Sequence, residues 1–193
     1  MKELQTKSIK YIFWDWDGTL CLQQYFWPQS RQDNKEIKKL DSIWQAGKST
    51  DWMRGKYSLE QLRQECDCEL SDIELTQILI NEWPDETTIN KPLFSIVCAL
   101  FQNASHYLVT DNMDIFNGYA TQSHFLQQNI TKIYNSCDYH CLKNDEQSLF
   151  QTIRKDLRLD FSDVLLIDDS ADTCKRFISM GGNAINIDRN KRL

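Results

Sequence analysis

Five carboxylates, a hydroxyl and an amine stand at positions where one fold could gather them. Asp15 and Asp17 are two apart in Asp15-Trp16-Asp17-Gly18-Thr19-Leu20, directly after the apolar run Tyr11 to Trp14. Thr110 and Asp111 follow Tyr107 to Val109, and Asp168 and Asp169 follow Val164 to Ile167. Lys143 lies in a polar loop before an acidic stretch that reads as the first turn of a helix from Asp145 to Leu157. Carboxylates a few ångströms apart raise each other's pKa, so such a set cannot be fully ionised in one cleft without a counter-charge. A hard divalent cation with oxygen ligands, together with Lys143, would supply it. The arrangement predicts Mg²⁺ on electrostatic grounds.

The D-x-D-G start also invites comparison with a Ca²⁺-binding EF-hand loop, which needs an oxygen ligand fifth, Gly sixth and Glu twelfth. Here Leu20 is sixth and Phe26 twelfth, so that reading fails.

The elements that must hold these groups alternate. Short apolar runs at Tyr11 to Trp14, Tyr107 to Val109, around Ile130 to Tyr134, Val164 to Ile167 and Ala184 to Ile187 suit strands buried on both faces of a parallel sheet. Leu93 to Phe101, Leu149 to Leu157, and the stretch through Cys174, Phe177 and Ile178 before Gly181 read as crossover helices. In such a sheet, ligands bind beyond the carboxyl ends of the strands, where the carboxylates fall.

Residues 21–89 read differently. Ile37, Leu40, Ile43 and Trp44 recur at helical spacing, as do Leu59, Leu62 and Cys66, then Ile73, Leu75, Ile78, Leu79 and Trp83. Ser58 with Gln61, and Ser71 with Glu74, fit capping boxes. This segment holds 8 basic and 13 acidic residues, which is most of the chain's net charge of −6. The expected fold class is α/β: a Rossmann-like parallel sheet core, 1–20 and 90–193, with a small all-helical domain inserted at 21–89.

On these motifs the chain resembles the haloacid-dehalogenase (HAD) superfamily of hydrolases. That family carries D-x-D-G-T after its first strand, Thr or Ser after the second, a Lys, and an acidic pair after the fourth. Asp15 and Asp17, Thr110, Lys143, and Asp168-Asp169 match in that order over nearly the whole chain. Two departures stand out: Asn144 replaces the usual Pro after the Lys, which should loosen that loop, and Asp172 stands three rather than four residues after Asp169. The resemblance implies a helical cap at 21–89 that closes over the site and selects the substrate.

It also implies roles. Asp15 would be the nucleophile and Asp17 the general acid and base, with Thr110 and Lys143 on the phosphoryl oxygens. Mg²⁺ would be held by Asp15, Asp169 and the backbone carbonyl of Asp17, with Asp168 a direct or indirect ligand. Asp17 favours phosphate esters, because carbon–halogen cleavage leaves no oxygen to protonate. The expected activity is a Mg²⁺-dependent phosphatase on a small phosphomonoester. A phosphomutase or other phosphotransferase, and a non-catalytic binding protein on the same scaffold, are the alternatives.

The remaining candidates are weaker. Trp16 and Trp27 are expected in the cleft, Trp44 and Trp83 in the core of the insertion. Arg54, in Arg54-Gly55-Lys56-Tyr57, would bring positive charge to a substrate or belong to a solvated turn. Asp111 belongs with the substrate-binding set or caps the following helix. Cys66-x-Cys68, and Cys137-x₃-Cys141 beside His140, lack the two-residue spacing of common zinc sites, so buried thiols are the plainer reading.

Composition bounds the rest. The acidic balance has no clustered basic run, which argues against nucleic acid as partner. No run approaches the roughly 20 apolar residues of a membrane span, and MKELQTKSIK is no signal peptide. Seven cysteines without an even framework fit reduced thiols, so a cytoplasmic protein is expected.

Overall fold

The computed structural model describes residues 9–22, 35, 38, 39, 47–81 and 86–187. Strands β1 (Tyr11–Trp14), β2 (Ser105–Thr110), β3 (Lys132–Asn135), β4 (Val164–Asp168) and β5 (Asn183–Asn186) form one sheet in the order β3-β2-β1-β4-β5. Every neighbouring pair is parallel. The five apolar runs are therefore the five strands, displaced by no more than two residues at either end.

Alternation along each strand explains why the runs are apolar throughout. Ile12, Trp14, Leu108, Leu165 and Ile167 join one core cluster, while Phe13, Tyr107, Val109, Val164 and Leu166 join another. Helices Lys91–Leu100, Ile115–Ala120 and His124–Asn129 bury Phe94, Phe116 and Phe125 in the first. Helices Leu149–Leu157 and Ala171–Ser179 bury Phe150, Ile153 and Phe177 in the second. The helix expected from Asp145 begins only at Leu149, because Asp145 turns its carboxylate back onto the Leu142 amide at 2.9 Å.

After β1 the chain reverses at Gly18, whose φ of +83° is open to glycine at little cost. Its amide donates to the Cys21 carbonyl at 2.7 Å. Cys21 then pairs antiparallel with Ile89, and flanking bonds join Leu22 to Thr88 and Asn90 to Leu20. The chain thus leaves the sheet and returns to it through one paired crossing.

Between these points lie the helices Ser49–Met53, Leu59–Glu65 and Asp72–Asn81. Both expected capping boxes form: Ser58 exchanges bonds with Gln61, and Ser71 with Glu74. The helix expected through Ile37, Leu40, Ile43 and Trp44 lies outside the described residues, as do Trp27, Trp83 and Pro84. Pro92 sits in the first turn of Lys91–Leu100, where its missing N–H costs nothing.

The insertion does not stand clear of the sheet domain. Trp52, Leu59, Leu62, Leu75, Leu79 and Ile80 share a core cluster with Phe116 and Tyr119. Asp114 adds a polar tie, accepting from Trp52 Nε1 at 2.8 Å and the Leu59 amide at 3.1 Å while capping its own helix through Ile115. Asp114→Ala removes three acceptor contacts at a half-buried seam, so it should lower stability by about 3 kcal/mol. Urea denaturation measures this, and a midpoint like the parent's would contradict it. Among the described residues no helix is long and apolar enough to cross a membrane.

Candidate active site

Strand register brings the motif residues to one rim. Trp14 lies opposite Ile167 on β4 and Leu108 on β2, so the next residue, Asp15, emerges beside Asp168, and the Asp15 amide continues the ladder to the Ile167 carbonyl at 2.9 Å. β2 runs on to Thr110, which faces Asn135 across β3. All four strand ends open toward the crevice at the switch point of the sheet.

Lys143 is the hub. Its Nζ donates to Asp15 Oδ1 at 2.7 Å and to Asp168 Oδ2 at 2.8 Å, and its backbone amide donates to Asp111 Oδ1 at 2.9 Å. Asp15, Thr110, Lys143 and Asp168 are all buried. Thr19, the last residue of D-x-D-G-T, is buried and donates to Asp15 Oδ2 at 3.2 Å. Asp168 Oδ1 also accepts the Ser170 amide at 2.8 Å, which aims that carboxylate from the first turn of Ala171–Ser179.

Charge in this pocket is unbalanced. Burial pushes the Asp15 carboxyl well above the usual carboxylate range, with Asp168 and Asp169 adding to the rise and Lys143 opposing it. Burial alone would favour neutral Lys143, but Asp15, Asp168 and Asp111 outweigh it and hold the ammonium well above its usual range. Burial likewise raises Asp111, against the Lys143 charge and amide. Carboxylate oxygens of Asp15, Asp168 and Asp169 lie within 4.8 Å of one another. A compact, partly desolvated all-oxygen set with excess negative charge suits a hard divalent cation.

Asp17 is half-buried, and its Oδ2 accepts from Asn112 Nδ2 at 3.0 Å. Asn112 also donates to Thr110 Oγ1 at 3.2 Å. Sequence reading passed over Asn112 and Ser136, since a buried amide or hydroxyl has no spacing signature. Their roles depend on which strand ends meet.

Several expected placements are corrected. Trp16 does not line a cleft: it is fully buried, with its ring packed on Phe116 and Tyr119, because the residue between the two aspartates points to the apolar side of the turn. Arg54 pairs with Asp145 through a two-pronged contact of 2.9 and 2.6 Å. Asp111 does not cap the next helix, which Asp114 does; it holds the Lys143 backbone. Asp172, which had no assigned role, is exposed and pairs with Lys175.

Asn144, beside Lys143, donates its side-chain amide to Thr173 Oγ1 at 2.9 Å. The cysteines are free thiols, with Cys68, Cys137 and Cys141 buried. Among the described residues, Asp15, Asp168 and Asp169 form the one cluster of three or more acidic, His or Cys side chains close enough to share a metal, so nothing supports zinc at the Cys pairs.

No protein-family model matches this sequence, and no curated protein matches it significantly. Solved structures do match in fold. A HAD family enzyme of Bacteroides thetaiotaomicron superposes with a TM-score of 0.74 at 18% identity, covering 96% of each chain. An aspartate-to-alanine variant of that enzyme, in complex with magnesium and inorganic phosphate, gives 0.71 at 17% identity over 95% of this chain and 96% of that one. A HAD phosphatase of Thermococcus onnurineus gives 0.61 at 19% identity, covering 95% and 88%. L-2-haloacid dehalogenase of Xanthobacter autotrophicus gives 0.58 at 12% identity, covering 93% and 77%. The chain has the HAD-type α/β fold, a fold shared by enzymes that cleave different bonds.

Proposed function

We propose that this protein is a Mg²⁺-dependent phosphoric monoester hydrolase, acting on a small phosphorylated metabolite through an aspartyl-phosphate on Asp15. The observation that carries the reading is the meeting of Asp15, Thr110, Lys143, Asp168 and Asp169 at one rim, with a second carboxylate, Asp17, held two residues beyond the first. Neighbours of this fold that are named as a phosphatase, or that bind magnesium and phosphate, support it.

Asp15 attacks phosphorus: a P–O bond forms to its carboxylate as the ester P–O bond breaks. Asp17 gives a proton to the departing oxygen, then takes one from the water that attacks the phosphoryl group. Lys143 and Thr110 hold the phosphoryl oxygens as charge moves onto them. Asp111 fixes the Lys143 backbone in that position. Asp15 and Asp169, with Asp168 directly or through its neighbours, would hold Mg²⁺, aided by the Asp17 carbonyl. The cation offsets the repulsion between the nucleophile and the incoming phosphate.

Residues 21–89 act as a cap in this reading, and 1–20 with 90–193 as the catalytic core. The paired crossing at Cys21 and Ile89 suits a hinge. Asp15, Thr110 and Lys143 are nearly inaccessible, so substrate reaches them only if part of the fold moves, and in this reading the insertion is that part.

Asp17 selects among the reactions this fold hosts, because a halide needs no proton to leave. Purified protein with Mg²⁺ should release phosphate from a member of a phosphorylated-metabolite panel or from a generic aryl phosphate. Silence across the whole panel would sink the proposal.

A further inference from the structure

We infer that Asn112 is a positioning residue that orients Asp17 for proton transfer, and that Ser136 links its placement to the seating of the insertion. The inference rests on the phosphatase reading above and adds a residue that none of the four motifs contains.

Asn112 is 2% exposed, and a single amide nitrogen serves both functional neighbours: Asp17 Oδ2 at 3.0 Å and Thr110 Oγ1 at 3.2 Å. The orientation of this amide follows from chemistry, since an ionised carboxylate only accepts and must face the NH₂ end. A carboxylate alone rotates freely about its last bond. With Oδ2 held by the Asn112 N–H, the plane of the Asp17 carboxyl is set. The same nitrogen sets the Thr110 hydroxyl, so the proton donor and one phosphoryl-holding group share a single anchor.

The anchor is itself tied down. The Asn112 backbone N–H donates to Ser136 Oγ at 3.0 Å, and Ser136, fully buried just beyond β3, has one hydroxyl proton to place. Its shorter acceptor is the Met53 carbonyl at 2.6 Å, in the insertion; the Asn112 carbonyl lies at 3.3 Å. When the insertion is seated, Met53 takes that proton and leaves the Ser136 lone pairs facing the Asn112 amide. When it lifts, the hydroxyl proton is free to turn to the Asn112 carbonyl. Ser136 thus ties the Asn112 backbone, from which the side chain reaches Asp17, to the Met53 carbonyl of the insertion.

Leaving-group dependence separates positioning from scaffolding. As an alkyl ester is cleaved, the ester oxygen departs as a strong base and needs the proton from Asp17; a nitrophenolate does not. With Mg²⁺ present, kcat/KM reports this first step. Asn112→Ala should lower kcat/KM for an alkyl phosphate by roughly 10-fold or more beyond its effect on 4-nitrophenyl phosphate, the loss common to both esters being that of the Thr110 anchor. In an Asp17→Asn background the same substitution should cost the alkyl ester no more than it costs 4-nitrophenyl phosphate. Ser136→Ala, which removes one hydroxyl and opens almost no cavity, should show the same bias with a smaller loss, and it carries the test if Asn112→Ala fails to fold cooperatively.

Equal losses on the two substrates, or the same alkyl-ester bias in the Asp17→Asn background, would overturn the positioning role while leaving the phosphatase reading intact. A parent protein silent across the whole phosphorylated-metabolite panel overturns both.

Discussion

Asp15→Asn should abolish turnover, with a loss of roughly 10⁴-fold or more, while the protein melts no lower than its parent. The first half follows from the nucleophile: an amide oxygen cannot form the aspartyl-phosphate. The second follows from what the fold does to this carboxyl. Its pKa is raised by burial first, then by Asp168 and Asp169, against Lys143. A carboxyl with a folded-state pKa above its unfolded value costs no stability below the unfolded pKa, and costs progressively more as pH rises toward the folded one. At neutral pH the neutral amide removes that penalty, and it can still accept from Lys143. An inactive variant that melts well below the parent would mean Asp15 is a structural partner of Lys143 rather than a nucleophile held ready at a cost.

Metal dependence gives the second large effect, with a readout independent of turnover. Chelation should reduce phosphate release to background, and Mg²⁺ should restore it. Mg²⁺ should also raise the melting temperature, because it binds the folded carboxylate set and relieves its repulsion; at about a hundred times Kd the gain is about 2.7 kcal/mol. Asp169→Asn removes one member of the set without touching Lys143, so it should lose most of both responses. If Asp169→Asn keeps the full Mg²⁺-induced rise in melting temperature, the ion binds elsewhere and the carboxylate set at the rim is not its site.

The sheet was legible in the sequence because a strand buried on both faces must be apolar at every position, and few other elements look like that. The meeting of the carboxylates was legible because they stand at strand ends, where register alone brings Asp15 beside Asp168. The capping boxes at Ser58 and Ser71 are local and read directly.

What sequence reading misplaced is tertiary. Asp111 and Asp114 are equally good helix caps by type; only the arrival of the Lys143 loop beside β2 gives Asp111 another task. Trp16 between the two motif aspartates suggests a cleft, but the turn at Gly18 sends its ring toward Phe116 and Tyr119. Arg54 pairs with Asp145, 91 residues away, which no local pattern could show. Asn112 and Ser136 carried no signal, because their value comes from the two carbonyls, the carboxylate and the hydroxyl that surround them after folding.

The most direct measurement traps the covalent step. Asp17→Asn, given 4-nitrophenyl phosphate and Mg²⁺, keeps a nucleophile and a substrate that needs no acid, but lacks the base for the second step. Acid quenching followed by peptide mass spectrometry should find one phosphoryl group, carried by Asp15. Phosphate released by the parent protein with no phosphoryl group on Asp15 in this variant would contradict the account.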